Sequence, residues 1–242
     1  MNILHLQNTS IHDQLLLEEL LLRHCNQNFC IINQGSPPTI VMGISGKAET
    51  LIHLDKLPTS IPILRRYSGG GTVIVDENTL FVTFICNKEE LSFPAYPEPI
   101  LRWAHSVLAP ATPGLQLREN DFVIGEKKCG GNALYIKKDR WVIHTSFLWD
   151  YDTARMRLLK HPPKTPQYRE GRSHEEFVCK MSDHLPCLET WVTDLKSHVE
   201  TALKGKESSL TAIKDQIGSQ PSIHYGTSVV ASPPAEPLSL PL

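Results

Sequence analysis

The chain has 242 residues, 40% of them hydrophobic and 21% charged, which is globular composition with enough length to bury a core without staples. A formal net charge of -2 gives no overall attraction for nucleic acid or an anionic membrane, and neither is expected as a partner. Cys25, Cys30, Cys86, Cys129, Cys179 and Cys187 form no CxxC and no zinc-like spacing, so reduced, mostly buried thiols are expected.

The opening stretch MNILHLQNTSIHDQ has no basic segment leading into an apolar one and is not Arg-rich, and no apolar run approaches membrane-spanning length. A soluble cytoplasmic protein is the expectation, with mitochondrion and plastid left open. Ser10 ahead of Ile11, with Asp13 three positions on, marks a helix start. The Leu-rich DQLLLEELLLRH that follows predicts a buried helix. The runs CIIN (30–33) and TIVMGI (39–44) read as two strands across the GSPP turn. Residues 61–66 read as extended, with Pro62 placing their start at a sheet edge. After Ser68-Gly69-Gly70-Gly71, the runs TVIVD and LFVTFIC around a polar break predict a hairpin. Residues 98–108 have helical spacing behind Pro97. Residues 121–150 alternate strand-like runs with turns, and KKDR predicts a hairpin tip. Asp152 is the expected cap of a helix over 152–159. HPPKTPQYREGRS is Pro-rich and charged, hence a loop, and 188–203 reads as the last packed helix. From Gly205 the chain turns Pro- and Ser-rich. The expected division is a catalytic domain over 1–204 and a disordered tail over 205–242.

Two segments carry chemistry. In Arg65-Arg66-Tyr67-Ser68-Gly69-Gly70-Gly71-Thr72 the glycines open backbone angles and clear space for a ligand, and the arginines offer forked donors. No GK[ST] follows and a strand comes next, so neither a Walker loop nor GxGxxG fits. A glycine-rich turn with solvated arginines is the competing reading. In Lys127-Lys128-Cys129-Gly130-Gly131-Asn132-Ala133, behind Asn120-Asp121, a lysine among small residues can reach a pocket and neutralise carboxylate and phosphate oxygens. A surface turn with two solvated lysines is the alternative.

The run RRYSGGGTVIVDENTLFVTFI resembles the RRxSGGGxVxxD segment of lipoate–protein ligases of the A type, within the biotin/lipoate ligase superfamily. The positions carried over are Arg65, Ser68, Gly69, Gly70, Gly71 and Asp76, which the resemblance places around the acyl chain and acyl-adenylate. Val75 stands where many relatives have His. The second segment resembles the family's ND…KxxGxA element. Aligned on Gly131 and Ala133, it makes Lys128 the catalytic lysine and puts Asn120 and Asp121 near nucleotide and magnesium, with Asp121 a metal ligand. VIHTSFL looks like the xxHHGTLL strand, with His144 a further binding residue; a histidine packed on the core is the alternative. IVMGISGKAE resembles VIIGRxQN more weakly.

The resemblance implies an α+β fold of mixed and antiparallel sheets flanked by helices, like the catalytic domain of class II aminoacyl-tRNA synthetases and biotin–protein ligases. It implies lipoate as substrate and ATP with Mg²⁺. The implied carriers are lipoyl domains of 2-oxoacid dehydrogenase complexes or the glycine-cleavage H protein. An ATP-independent lipoyl or octanoyl transferase, and a lipoyl-AMP-binding subunit needing an accessory partner, stay open beside the ligase. Lys137, Lys138 and Arg140 either help dock an acidic carrier or form a solvated tip.

Overall fold

A computed structural model describes residues 1–90, 92–217 and 225–231. In chain order the elements are β1 Asn2–Gln7, α1 Ile11–His24, β2 Phe29–Gln34, β3 Thr39–Met42, α2 Ala48–Leu51, β4 Ile63–Arg65, β5 Val73–Val75, β6 Thr79–Asn87, α3 Pro97–Leu108, β7 Leu115–Arg118, β8 Asp121–Ile124, β9 Lys127–Ile136 and β10 Arg140–Leu148. Then come α4 Thr153–Met156, α5 His174–Phe177, α6 Leu188–Ala202, β11 Lys206–Glu207, α7 Leu210–Ile217 and β12 Ser228–Ala231. This is the expected α+β architecture. Among the described residues no helix is long and apolar enough to cross a membrane.

Eight strands form a large sheet ordered β11-β1-β2-β6-β10-β9-β8-β7, and four form a small one ordered β12-β4-β3-β5. The apolar runs are unbroken because the large sheet is buried on both faces. In β6, Leu80, Val82, Phe84 and Cys86 face a core roofed by α3 and α6, whereas Phe81 and Ile85 face a second core with α1 and the small sheet. α1 begins as read: the Ser10 hydroxyl accepts from the Asp13 N–H at 3.1 Å. The tip between β9 and β10 falls at 137–139, and α6 closes the α3 side.

One pairing differs from expectation. β2 and β3, the two strands across the GSPP turn, lie in different sheets, and so do β5 and β6, where the pattern predicts a hairpin. Periodicity identifies a strand but not its neighbour, and the breaks are crossings between layers. Gly35 turns the first at φ +80, and a Cβ there would meet the Glu77 carbonyl oxygen at 3.0 Å. Asp76 turns the second, its carboxylate accepting from the Asn78 N–H at 2.9 Å.

The expected disorder from 205 onward is also corrected where residues are described. β11 pairs in parallel with β1, Ile213 of α7 is buried in the core beneath α1, and β12 adds to the β4 edge. The ordering entropy is offset by pairing open edges and by a buried charge: Gly226 and Thr227 each donate an N–H at 2.7 Å to the carboxylate of Glu19, which is fully buried. The remaining parts, 218–224 and 232–242, lie outside the described residues. Ending the chain at 224 removes two charge-assisted bonds while Arg23 still pairs with Glu19 at 3.0 Å. A loss of about 1–3 kcal/mol is expected, measured as a lowered urea midpoint; an unchanged midpoint would contradict the strap.

Candidate active site

The loop joining β4 to β5 is shaped from within. Arg66, 5% exposed, donates through Nη2 to the carbonyls of Gly69 at 2.8 Å and Gly71 at 2.9 Å, and through Nε to the Ser68 hydroxyl at 3.1 Å. Burial pulls its pKa down to about 10, so it remains charged at neutral pH. Gly70 sits at φ +106, and a Cβ there would lie 2.7 Å from Arg66 Nη2. At Gly69 and Gly71 a Cβ would meet nothing within 4 Å, so these two leave open space. The three glycines therefore do different jobs: one permits the bend and two clear the cleft.

Behind the loop runs a buried polar chain. Glu18 of α1 accepts from Thr83 Oγ1 at 2.7 Å, Gln14 Nε2 at 2.9 Å, His144 Nδ1 at 3.0 Å and Tyr67 OH at 3.2 Å. Burial alone would raise the Glu18 pKa. The charge of His144 and the hydrogen bonds from His144, Thr83 and Gln14 outweigh it and hold the carboxylate below its usual range. With the carboxylate ionised, Nδ1 carries a proton and Nε2 meets Ser68 Oγ at 3.0 Å. Ser68 is fully buried, so it serves the loop through His144 and Arg66.

The lysine reaches the cleft through a bulge. Phe122 pairs with Gly130 and Val123 with Lys128, leaving Cys129 as the extra residue of β9. Cys129 is fully buried, and a Cβ on Gly130 would strike the Phe147 ring, so both face the core. Lys128 and Gly131 share the other face: a Cβ on Gly131 would be 3.3 Å from Lys128 Nζ. The ammonium pairs with Asp121 Oδ1 at 2.8 Å, and Tyr168 OH donates to Asp121 Oδ2 at 2.9 Å. Lys127 is exposed, whereas Lys128 lines the cleft.

Two adjoining cavities meet at Lys128. The smaller, about 110 Å³, is walled by Ile11, Leu15, Val41, Val73 and Phe81 with His144 and Arg66. The larger, about 620 Å³, is lined by Gly69, Gly70, Gly71, Asn120, Asp121, Gly131 and Ala133, by Lys164 and Arg169 of the Pro-rich loop, and by Lys160 and His174 at its two ends. Gly71, Lys128, Gly131 and Ala133 belong to both. Ala133 supports the glycine loop, its Cβ 3.6 Å from where one would stand on Gly70.

Three expected residues lie outside both linings: Ser68, buried behind the glycine loop, and Arg65 and Asp76. Arg65 lines neither cavity; its Nη1 donates to the carbonyls of Ile44 at 3.2 Å and Gly46 at 2.6 Å, fastening the loop after β3. Its neighbour Arg66 is the one that turns inward. Asp76 is also absent from both linings; its carboxylate is used by the turn to Asn78 and by Arg155 at 3.0 Å. Residues passed over in the sequence are Glu18, Arg66, Arg169 and His174. A signal existed for Glu18: two acids inside a Leu-rich buried helix need partners. Among the described residues no group of three or more His, Cys, Asp or Glu is placed to hold a metal ion.

His174 gives a pH test of this environment. Burial, then Arg169, His161 and Lys128, push its pKa from 6.5 down to about 4. Between those values the unfolded chain binds the extra proton, so stability falls as pH drops from about 6.5 and levels off below about 4. Replacing His174 with glutamine should flatten that slope in denaturant titrations at several pH values; an unchanged slope would contradict the assignment.

The fold and the two adjoining cavities define an α+β domain with a glycine-floored, lysine-bearing cleft. The model of the lipoyl protein ligase A/B catalytic domain matches residues 10–204, and the chain belongs to that family. It is 26% identical over 241 residues to inactive lipoate–protein ligase 2 of Plasmodium falciparum, covering 73% of this chain and 63% of that one. It is 30% identical over 159 residues to a probable lipoate-protein ligase A of Mycoplasma pneumoniae, covering 63% and 46%. With a lipoate-protein ligase of Bacillus subtilis it shares 26% over 209 residues, covering 81% and 62%. The chain thus spans about half to three-fifths of the length of these curated relatives. Among solved structures it is similar to the bi-partite lipoate protein ligase of Thermoplasma acidophilum, described with its E2 lipoyl domain (TM-score 0.73, 18% identity, 89% of each chain). It is also similar to a lipoate-protein ligase A bound with ATP (TM-score 0.70, 19% identity, 89% of this chain and 91% of that one). At these identities the likeness establishes the fold.

Proposed function

We propose that the chain is a lipoate–protein ligase that activates lipoate with ATP and passes the lipoyl group to a lysine of a lipoyl domain. The observation that carries this reading is the position of Lys128, at the junction of a small apolar-walled cavity and a larger polar one. An acyl chain fits the first and a nucleotide the second, so that carboxylate and α-phosphate meet at the ammonium. A carboxylate oxygen attacks the α-phosphorus, the bond to the β-phosphate breaks, and pyrophosphate leaves with the electron pair. The carrier amine then attacks the acyl carbonyl, and AMP departs. Lys128 neutralises charge on the phosphate and carbonyl oxygens in both steps, and Asp121 with Tyr168 aims it.

Magnesium fits this donor set as an ion brought by the nucleotide, since such ions are held by one or two carboxylates and the substrate phosphates. Asp121 is the carboxylate beside Lys128 that would hold it, and the ion would neutralise phosphate charge. A thioester transferase needs an accessible low-pKa thiol. Cys129 faces the core, and burial pushes its thiol up, as it does for Cys179. A non-catalytic binder is the reading suggested by the inactive Plasmodium relative. The discriminating assay combines purified protein, lipoate, Mg²⁺ and a lipoyl domain, with and without ATP. Lipoylation that requires ATP supports the ligase. ATP-free transfer from an acylated donor, or binding that turns over only with a second subunit, would replace it.

A further inference from the structure

A third cavity, about 480 Å³, lies at the far end of the β9–β10 hairpin, and the reaction above does not use it. Cys25 and Asn26, just after α1, line one side; Lys88, Lys137, Lys138 and Arg140 line the other. Arg140 stands six residues before Ser146 on β10, about 20 Å along the strand, and Ser146 lines both cavities of the cleft. The two sites are therefore separate.

Arg140 is 5% exposed and only partly matched. Its Nη2 donates to the Gln27 carbonyl at 2.5 Å, while Nε and Nη1 are buried with no acceptor among the described residues. A buried guanidinium with idle donors is costly unless an acceptor is supplied. Glu90 lies within electrostatic reach, but its two oxygens accept from Asn28 Nδ2 at 2.6 Å and Asn87 Nδ2 at 2.8 Å. The turn after α1 does not call for the surrounding cations either. The carbonyls of Asn26 and Asn28 already accept from Asn87 Nδ2 at 2.7 Å and from the Asn2 N–H at 2.8 Å. Across the cavity, the Lys88 N–H donates to the Asp139 carbonyl at 2.9 Å and the Lys137 N–H to the Arg140 carbonyl at 2.8 Å. The walls are thus fixed in advance, which lowers the cost of engaging a ligand.

The lining is also positive. Arg23 is paired with Glu19 at 3.0 Å. Lys88, Lys137, Lys138 and Arg140 then face Glu89 and Asp139, an excess of two positive charges. A protein partner would meet exposed side chains. Here the arginine is sunk in a cavity, which suits a ligand small enough to enter.

We propose that this cavity binds a small multivalent oxyanion, a phosphate or a polycarboxylate, with Arg140 as the buried anchor and Lys88, Lys137 and Lys138 around it. Charge-assisted hydrogen bonds from a guanidinium suit either group. The assignment does not depend on the ligase reading.

The test is calorimetric titration of the full chain with inorganic phosphate and, separately, citrate, at constant ionic strength. The proteins are the wild type, Arg140→Gln, the double variant Lys137→Ala/Lys138→Ala, and Lys164→Ala in the cleft. The wild type should bind saturably, and the tighter of the two anions identifies the class. Arg140→Gln should weaken binding about 10- to 100-fold and the double variant about 3- to 10-fold, with Lys164→Ala unchanged. The double variant alters the hairpin tip alone, so it decides the matter should Arg140→Gln fail to fold. No saturable binding by the wild type, unchanged affinity in the double variant, or affinity lost in Lys164→Ala would overturn the site. Weakened binding of a lipoyl domain by the double variant, with anion affinity intact, would likewise overturn it and make the tip a protein-docking surface.

Discussion

Replacing Lys128 with alanine is expected to cut lipoylation of a purified lipoyl domain on the order of 10³-fold, the scale seen when a preorganised charge is removed from a developing oxyanion. The fold should survive. The Lys128 side chain is 24% exposed, and its partner Asp121 keeps the Tyr168 hydroxyl at 2.9 Å. Thermal melting should shift by no more than a few degrees, equivalent to about 1 kcal/mol. Arginine should not rescue. The stem of Lys128 lies over Gly131, where even a Cβ would be 3.3 Å from Nζ, and a planar fork does not occupy the space of a compact ammonium. Initial rates and melting curves on the same preparations decide the matter. Wild-type rates in Lys128→Ala would remove the site assignment, and a melting loss matching the activity loss would reduce the lysine to a structural role.

The second large effect is on stability. Glu18→Ala leaves Thr83, Gln14, Tyr67 and His144 without the acceptor they share, all within 3.2 Å of a carboxylate with no solvent exposure. Losing one member of a buried charged network costs about 3–5 kcal/mol, so unfolding at a much lower urea concentration is expected. Glu18→Gln keeps the shape but turns an NH₂ toward donors, so an intermediate loss follows. Because Nδ1 of His144 is fixed by this carboxylate and Nε2 meets Ser68, the glycine loop should loosen as well. Faster hydrogen exchange at 66–72 in Glu18→Gln would report that. A midpoint within error of wild type for Glu18→Ala would contradict the network.

Much of this was legible in the residues. The Ser10 cap, the helices near 98–108 and 188–203 and the tip at 137–139 follow from local patterns that tertiary packing did not override, whereas the choice of Lys128 over Lys127 rests on the family resemblance. Strand partners were not legible, because CIIN and LFVTFIC are buried on both faces and carry no mark of which sheet they join. Arg65 and Arg66 look alike in a motif; what separates them is strand alternation at the end of β4, which sends one to the loop after β3 and the other into the glycine turn. Asp76 fits the motif equally well as turn residue or ligand contact, and in the structure the turn and Arg155 use it. The described parts of the segment after 204 escaped because their stabilisation comes from edges of β1 and β4 and from Glu19, residues far away in the chain.

The central claim is that a carboxylate and a nucleotide meet at Lys128 and react there. Its most direct measurement needs no carrier: exchange of labelled pyrophosphate into ATP by the full chain with Mg²⁺. The account predicts exchange that appears only when lipoate is added and disappears in Lys128→Ala. Absence of exchange in the wild type, together with lipoyl transfer from an acylated donor without ATP, would contradict it.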